Sequence, residues 1–190
     1  HTQESRYLSL EECLPLQQLN KLVGDGHRVM LFGAAFGWLD LIERHERENE
    51  PLSLPREVSI METGGMKGRR EEWIRERVHE FLKDKMGLPH IASEYGMTEL
   101  FSQAYAVQDG IFTPGVSMRV QLREVTDPLA KVIKPGRVGG IQIIDLANID
   151  SCPFIETKDL GSLESDGNRF KVLGRFDNSE IRGCNLMVDQ

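Results

Sequence analysis

The sequence predicts an α/β fold. It has a parallel-sheet α/β layer over residues 1–110 and a smaller, mainly antiparallel β part over residues 111–190. Three observations carry this prediction. Strand-like and helix-like apolar patterns alternate through the first half. A Pro114-Gly115 turn signal is followed by period-two alternation with no long helical period. The hydrophobic share of 39% against 28% charged residues can fill a core and is not that of a disordered chain.

The elements follow in order. Arg28–Phe32 is a short apolar strand after the Gly24-Asp25-Gly26 turn. Ala34–Glu48 is a helix with Phe36, Leu39, Leu41 and Ile42 inward and Glu43, Arg44, Glu46 and Arg47 solvated. Glu57–Glu62 is a second strand, closed by Thr63-Gly64-Gly65. Glu71–Met86 is an amphipathic helix placing Trp73, Ile74, Val78, Phe81 and Leu82 on one face, stopped at Gly87. Its charged start, Glu71–Arg77, reads as a solvated face with pairs four residues apart. His90–Ser93 is a third short strand. Val116–Val125, Gly139–Leu146 and Arg169–Leu173 are the strands of the second part.

Composition narrows the function classes. The chain has 190 residues, 23 Lys plus Arg and 30 Asp plus Glu, for a net charge of −7. An acidic total argues against a general binder of nucleic acid or anionic membranes, which needs clustered positive charge. No segment reaches the roughly 18–20 apolar residues that span a bilayer; the greasiest, Val29–Leu41, is broken by Gly33, Gly37 and Asp40. Cys13, Cys152 and Cys184 form no CxxC pair, which fits a reducing cytoplasm better than a disulfide scaffold or zinc site. The chain opens on His1 rather than Met, as expected of a piece of something longer.

Five short motifs carry chemistry. Gly64-Gly65, in Thr63-Gly64-Gly65-Met66-Lys67-Gly68, serves either a tight turn or the close approach of a ligand to backbone. In Ser93-Glu94-Tyr95-Gly96-Met97-Thr98-Glu99-Leu100, Tyr95 offers a flat face for a base, Gly96 a bend, Thr98 a hydroxyl for phosphate and Glu99 a hard oxygen for Mg²⁺. The same residues also fit a helix start with Thr98 as N-cap. Asp159, in Thr157-Lys158-Asp159-Leu160-Gly161, reads as a ribose-diol acceptor or an Asx turn. Arg175, in Gly174-Arg175-Phe176-Asp177-Asn178, reads as a donor to ribose or phosphate, or as part of a surface turn. Cys184, beside Arg182, is a thiolate nucleophile or a small buried hydrophobe. Cys13 and Cys152 read as core. The five histidines show no ligand spacing; His90 stands out only because it opens the strand leading to Tyr95.

The order of these motifs resembles the adenylate-forming ligases, which activate a carboxylic acid with ATP and Mg²⁺. This wider group includes acyl-CoA synthetases, luciferases and peptide-synthetase adenylation domains. Gly64-Gly65-Met66-Lys67, the Ser93–Leu100 motif running into Ser102-Gln103-Ala104-Tyr105, and the Ile181-Arg182-Gly183-Cys184-Asn185-Leu186 ending are similar to bacterial acyl-protein synthetases. These form the fatty-acid-activating component of the luminescence-type fatty acid reductase system. The resemblance implies that Gly64, Gly65, Glu94, Tyr95 and Gly96 line the adenine. Thr98 would touch the α-phosphate and Glu99 would hold Mg²⁺. Asp159 would bind the ribose, Arg175 would support ribose or phosphate, and Cys184 would take the acyl group as a thioester. It also implies an acyl reductase partner.

Several features depart from the family pattern. No Ser/Thr/Gly-rich phosphate loop ending in Lys is found, no large C-terminal lid follows, and Gly174–Gly183 looks one residue short. The chain is therefore expected to be the C-terminal half of such an enzyme, with little turnover by itself. Two rival readings are an acyl-CoA ligase of the phenylacetate type and a non-catalytic interaction module with the ligase shape.

Overall fold

The computed structural model describes residues 14–50, 52–64, 73–127 and 129–176. The chain divides into two compact units, one of His1–Glu94 with Val107–Asp109, the other of Tyr95–Ala106 with Gly110–Gln190.

The first unit begins with helix α1 (Leu16–Gly24) and continues β1 (Val29–Ala34), α2 (Ala35–Arg47), β2 (Val58–Thr63), α3 (Arg75–Met86) and β3 (Ala92–Tyr95), whose last residue passes into the second unit. The strands pair in parallel, Val29 beside Val58 and Met61 beside Ala92. Helical periodicity gives α2 its inner face: Ala35, Trp38, Leu39, Ile42 and His45 are buried at spacings of three and four. Val78, His79, Leu82 and Met86 do the same for α3, which stops at Gly87 in the left-handed conformation with φ +68°. These faces meet Val58 and Ile60 in one apolar core.

The second unit contains β4 (Ala104–Ala106), β5 (Ile111–Pro114), β6 (Met118–Arg123), β7 (Val138–Asp145), a short 3-10 turn (Leu146–Asn148), β8 (Phe154–Leu163) and β9 (Phe170–Arg175). Its sheet runs β4-β5-β9-β8-β7-β6 and is antiparallel throughout. Alternation explains it: Met118, Val120 and Leu122 on β6 and Ile141 and Ile143 on β7 point into the core with Phe112 and Phe170.

The α/β fold with a parallel part and an antiparallel part is as the sequence predicts, with four corrections. Helix α3 begins at Arg75; Ile74 precedes it and is exposed, so it does not share the buried face. Arg75 is not solvated but paired with buried Glu62. Strand β3 begins at Ala92, leaving His90 exposed before it. Cys152 is exposed rather than core. Helix α1 and strands β4, β5 and β8 lie where no element was expected. Among the described residues no helix is long and apolar enough to cross a membrane.

Strand β8 shifts register against β9 between Leu160 and Gly161. A Cβ at Gly161 would stand 2.5 Å from the Lys171 carbonyl oxygen and 2.8 Å from Ile141 Cδ1. The neighbouring strand backbone cannot yield cheaply, so Gly161→Ala is expected to destabilise the chain by about 1–3 kcal/mol. Urea unfolding should show this as a lower midpoint at unchanged slope.

Candidate functional site

Asp159 lies on β8 and not in a turn, directly across the ladder from Arg175 on β9. This corrects the turn alternatives for both residues. The register brings Arg175 Nε within 3.4 Å of Asp159 Oδ1. The Tyr95 hydroxyl donates to Asp159 Oδ2 at 2.7 Å, and the Asp159 amide donates to Thr157 Oγ1 at 3.0 Å. Three residues spread over 81 positions (175 − 95 = 80 steps) thus share one carboxylate.

Packing fixes the tyrosine. Its ring meets Phe112 and Phe170 at steep angles, with centroids 5.9 and 5.6 Å away, and those two stack at 5.4 Å. Tyr95 is 7% exposed, so it offers an anchored hydroxyl more than an open face. Burial first, then the Asp159 charge and hydrogen bond, push its phenol far above the ordinary value. It therefore remains a donor at any physiological pH. Arg175 is 74% exposed and Asp159 is largely covered, so the carboxylate presents its remaining lone pairs beside an exposed cation.

Thr98 and Glu99 follow Tyr95 in an exposed turn closed by the Leu100 amide on the Met97 carbonyl at 3.0 Å. No helix begins there, so Thr98 is not an N-cap. The turn is held from the end of β7. Asp145, fully buried, accepts from the Phe101 amide at 2.8 Å, the Ser102 amide at 2.9 Å, the Ser102 hydroxyl at 2.6 Å and the Ala147 amide at 3.1 Å. Asn148 Nδ2 donates to the Glu99 carbonyl at 2.8 Å. Burial alone would push the Asp145 carboxyl up; the Ser102 hydroxyl and the three amides outweigh it and hold it below the usual range.

In the first unit Gly64 ends β2 with φ +67°, and the Thr63 hydroxyl donates to Glu94 on β3. One residue earlier, Glu62 is buried with Arg75, His79 and Ser93 around it. Among the described residues no group of three or more His, Cys, Asp or Glu could hold a metal ion. A lone exposed carboxylate such as Glu99 suits Mg²⁺ all the same, because that ion keeps several waters and takes one or two carboxylates beside substrate phosphates. Gly65 and Cys184 lie outside the described residues, as do Cys13 and the Arg182-Gly183 pair.

The structure therefore joins Tyr95, Asp159 and Arg175 and sets Thr98 and Glu99 on the turn beyond Tyr95. Sequence reasoning missed Glu62, His79, Asp145 and Asn148. Two of these were signalled by strand phase, since Glu62 shares the buried face of Val58 and Ile60, and Asp145 that of Ile141 and Ile143.

The family described as "Acyl-protein synthetase, LuxE" matches residues 6–190. Solved structures share the fold. O-succinylbenzoate coenzyme A synthetase from Bacillus subtilis in complex with AMP is 20% identical with a TM-score of 0.53, covering 88% of this chain and 34% of that one. A malonyl-CoA ligase with methylmalonyl-CoA and AMP bound is 19% identical at 0.54, covering 87% and 37%. A luciferase-like enzyme from the mealworm Zophobas morio is 14% identical at 0.54, covering 84% and 41%. The chain thus spans between a third and two fifths of these proteins. No curated protein sequence matches it.

Asp145→Asn puts amide hydrogens against buried donors and is expected to cost about 2–4 kcal/mol. The native pKa is lowered, so the ionised carboxylate stabilises the fold above the usual carboxylate range. That contribution is lost as pH falls through the native value. Stability of the variant should fall less steeply than wild type between about pH 5 and pH 3 in urea titrations.

Proposed function

The chain belongs to the acyl-protein synthetase (LuxE) family, and on that premise we propose that it is part of an enzyme that activates a fatty or other carboxylic acid. The acid oxygen attacks the α-phosphorus of ATP, pyrophosphate leaves, and an acyl-adenylate forms. A cysteine thiolate then attacks the acyl carbon, AMP leaves, and the acyl group is kept as a thioester.

The observation that carries this reading is the Tyr95–Asp159–Arg175 group. An ionised carboxylate offers about four lone-pair positions. Tyr95 and Arg175 occupy two, and the remaining positions suit the paired hydroxyls of a ribose. The tyrosine cannot ionise in the physiological range, so it holds the carboxylate in one orientation without adding charge. Arg175, exposed and forked, reaches ribose or phosphate oxygens. By motif resemblance, Gly64, Gly65, Glu94 and Gly96 are assigned to the adenine. The Thr98 hydroxyl donates to the α-phosphate, and Glu99 supplies an oxygen to Mg²⁺. When bound, the ion would offset the negative charge that gathers where carboxylate meets phosphate.

Cys184 is the proposed acyl acceptor. The sequence sets Arg182 two residues before it, and a cation near a thiol favours the thiolate. The 190 residues are proposed to bind nucleotide or acyl-adenylate with little turnover by themselves. The same proposal places the protein in the cytoplasm with an acyl reductase that takes up the thioester.

Asp159→Ala should weaken AMP binding by about 1–3 kcal/mol, the usual cost of losing hydrogen bonds to a charged group; unchanged affinity in calorimetry would remove the ribose assignment. Cys184→Ser in the intact protein, given ATP and a radioactive fatty acid, should form acyl-adenylate yet carry no protein-bound label. Label that persists on the variant, or wild-type protein that carries no label and passes it only to added coenzyme A, would rule out the cysteine step.

A further inference from the structure

Beneath the end of strand β2 lies a polar cluster that the proposed chemistry does not use. Glu62 is 2% exposed, Ser93 0% and His79 9%. One oxygen, Glu62 Oε1, receives Arg75 Nε at 3.1 Å and the Ser93 hydroxyl at 2.6 Å, and lies 3.3 Å from His79 Nε2. His79 Nε2 is also 3.0 Å from Ser93 Oγ.

The proton count fixes the arrangement. Ser93 has one hydrogen, and the short distance assigns it to the carboxylate. His79 Nε2 must then carry a proton and donate into the corner shared by Ser93 and Glu62. Burial alone would push the Glu62 carboxyl up, but the His79 hydrogen bond, the Arg75 charge and the Ser93 hydrogen bond outweigh it and hold it below its usual value. The cluster is not a hydrolytic triad. Serine and carboxylate meet the same imidazole nitrogen, and the hydroxyl is sealed from solvent.

Topology gives the cluster its meaning. Glu62 stands two residues before Gly64, and Arg75 opens α3 at the far end of the segment carrying Gly64 and Gly65. Glu62 pairs across the ladder with Ser93, and Thr63 with Glu94. Arg75 and His79 are four apart on one face of α3. A single carboxylate therefore ties together the end of β2, the first turn of α3 and the strand that delivers Glu94.

We infer that Glu62, with Arg75, His79 and Ser93, is a positioning set that fixes the backbone ends lining the adenine, an inference resting on the nucleotide reading above. Glu62, His79 and Ser93 are buried, so the set acts through the backbone it holds. Their work is to hold the Thr63-Gly64 and Glu94 backbone in place before binding, so that ordering it does not weaken affinity.

Ser93→Ala and Glu62→Gln test this in the intact protein. Calorimetry would measure AMP and fatty acid separately, and amide exchange would be followed at Thr63 and Glu94 with Val58 and Ile60 as references. The expected result is AMP affinity about tenfold weaker, fatty-acid affinity unchanged, and faster exchange at Thr63 and Glu94 alone. If Glu62→Gln does not fold, Ser93→Ala, which only removes an oxygen, decides. Wild-type AMP affinity in a folded variant would overturn the inference, as would equal loss of both ligands or a rise in exchange across the whole strand. A wild-type protein that binds no AMP would instead overturn the nucleotide reading, and the exchange comparison would still judge the clamp.

Discussion

A carboxylate removed from water keeps its charge only where donors replace the lost hydration, and this constraint organises both units. Glu62 gathers a guanidinium, an imidazole and a hydroxyl. Asp145 gathers three amides and a hydroxyl. In each case the donors come from segments far apart in sequence, so satisfying the charge and closing the fold are one event. Asp145 has an added consequence. Two of its donors, the Phe101 and Ser102 amides, lie just past the turn bearing Thr98 and Glu99, so a buried charge fixes the backbone from which two exposed side chains project.

Asp159 obeys the same constraint less completely. It is mostly covered, and its side chain meets one phenol and one exposed guanidinium. A carboxylate with donors to spare is a structural anchor; one with acceptor positions left over beside a movable cation is suited to a ligand rich in hydroxyls. This contrast in saturation distinguishes Asp145 from Asp159 more sharply than burial does. The aromatic trio of Tyr95, Phe112 and Phe170 supports the difference. It immobilises the phenol, so one oxygen of Asp159 is spoken for while the other side stays adjustable.

Much of the first unit was legible in the sequence because its signals are local. The spacing of Phe36, Leu39 and Ile42 marks α2, and the alternation of Val58 and Ile60 marks β2 to within a residue or two. Strand β8 was illegible for the opposite reason: Thr157-Lys158-Asp159-Leu160-Gly161 has turn composition, and only its ladder partners on β7 and β9 make it a strand. Arg75 shows the same limit. Within a charged run it looks solvated, and nothing local says that Glu62, thirteen residues earlier, lies under it. The pairing of Asp159 with Arg175 follows from antiparallel register, which no single segment contains. The motif order, by contrast, carried the family resemblance without any knowledge of register.

Net charge sets a final condition on the proposed chemistry. A chain of charge −7 repels a nucleotide at long range, although salt screens most of that beyond about 8 Å. Attraction must then be local, and the groups on the second unit divide it. On the proposed reading, Arg175 would supply a cation at the ribose side, and Thr98 and Glu99 an uncharged donor and an anion at the phosphate side. An anion facing phosphate is unfavourable unless a cation stands between them. On the proposed reading, the carboxylate of Glu99 would therefore face phosphate favourably with a divalent ion between them, an argument from charge that stands beside the motif.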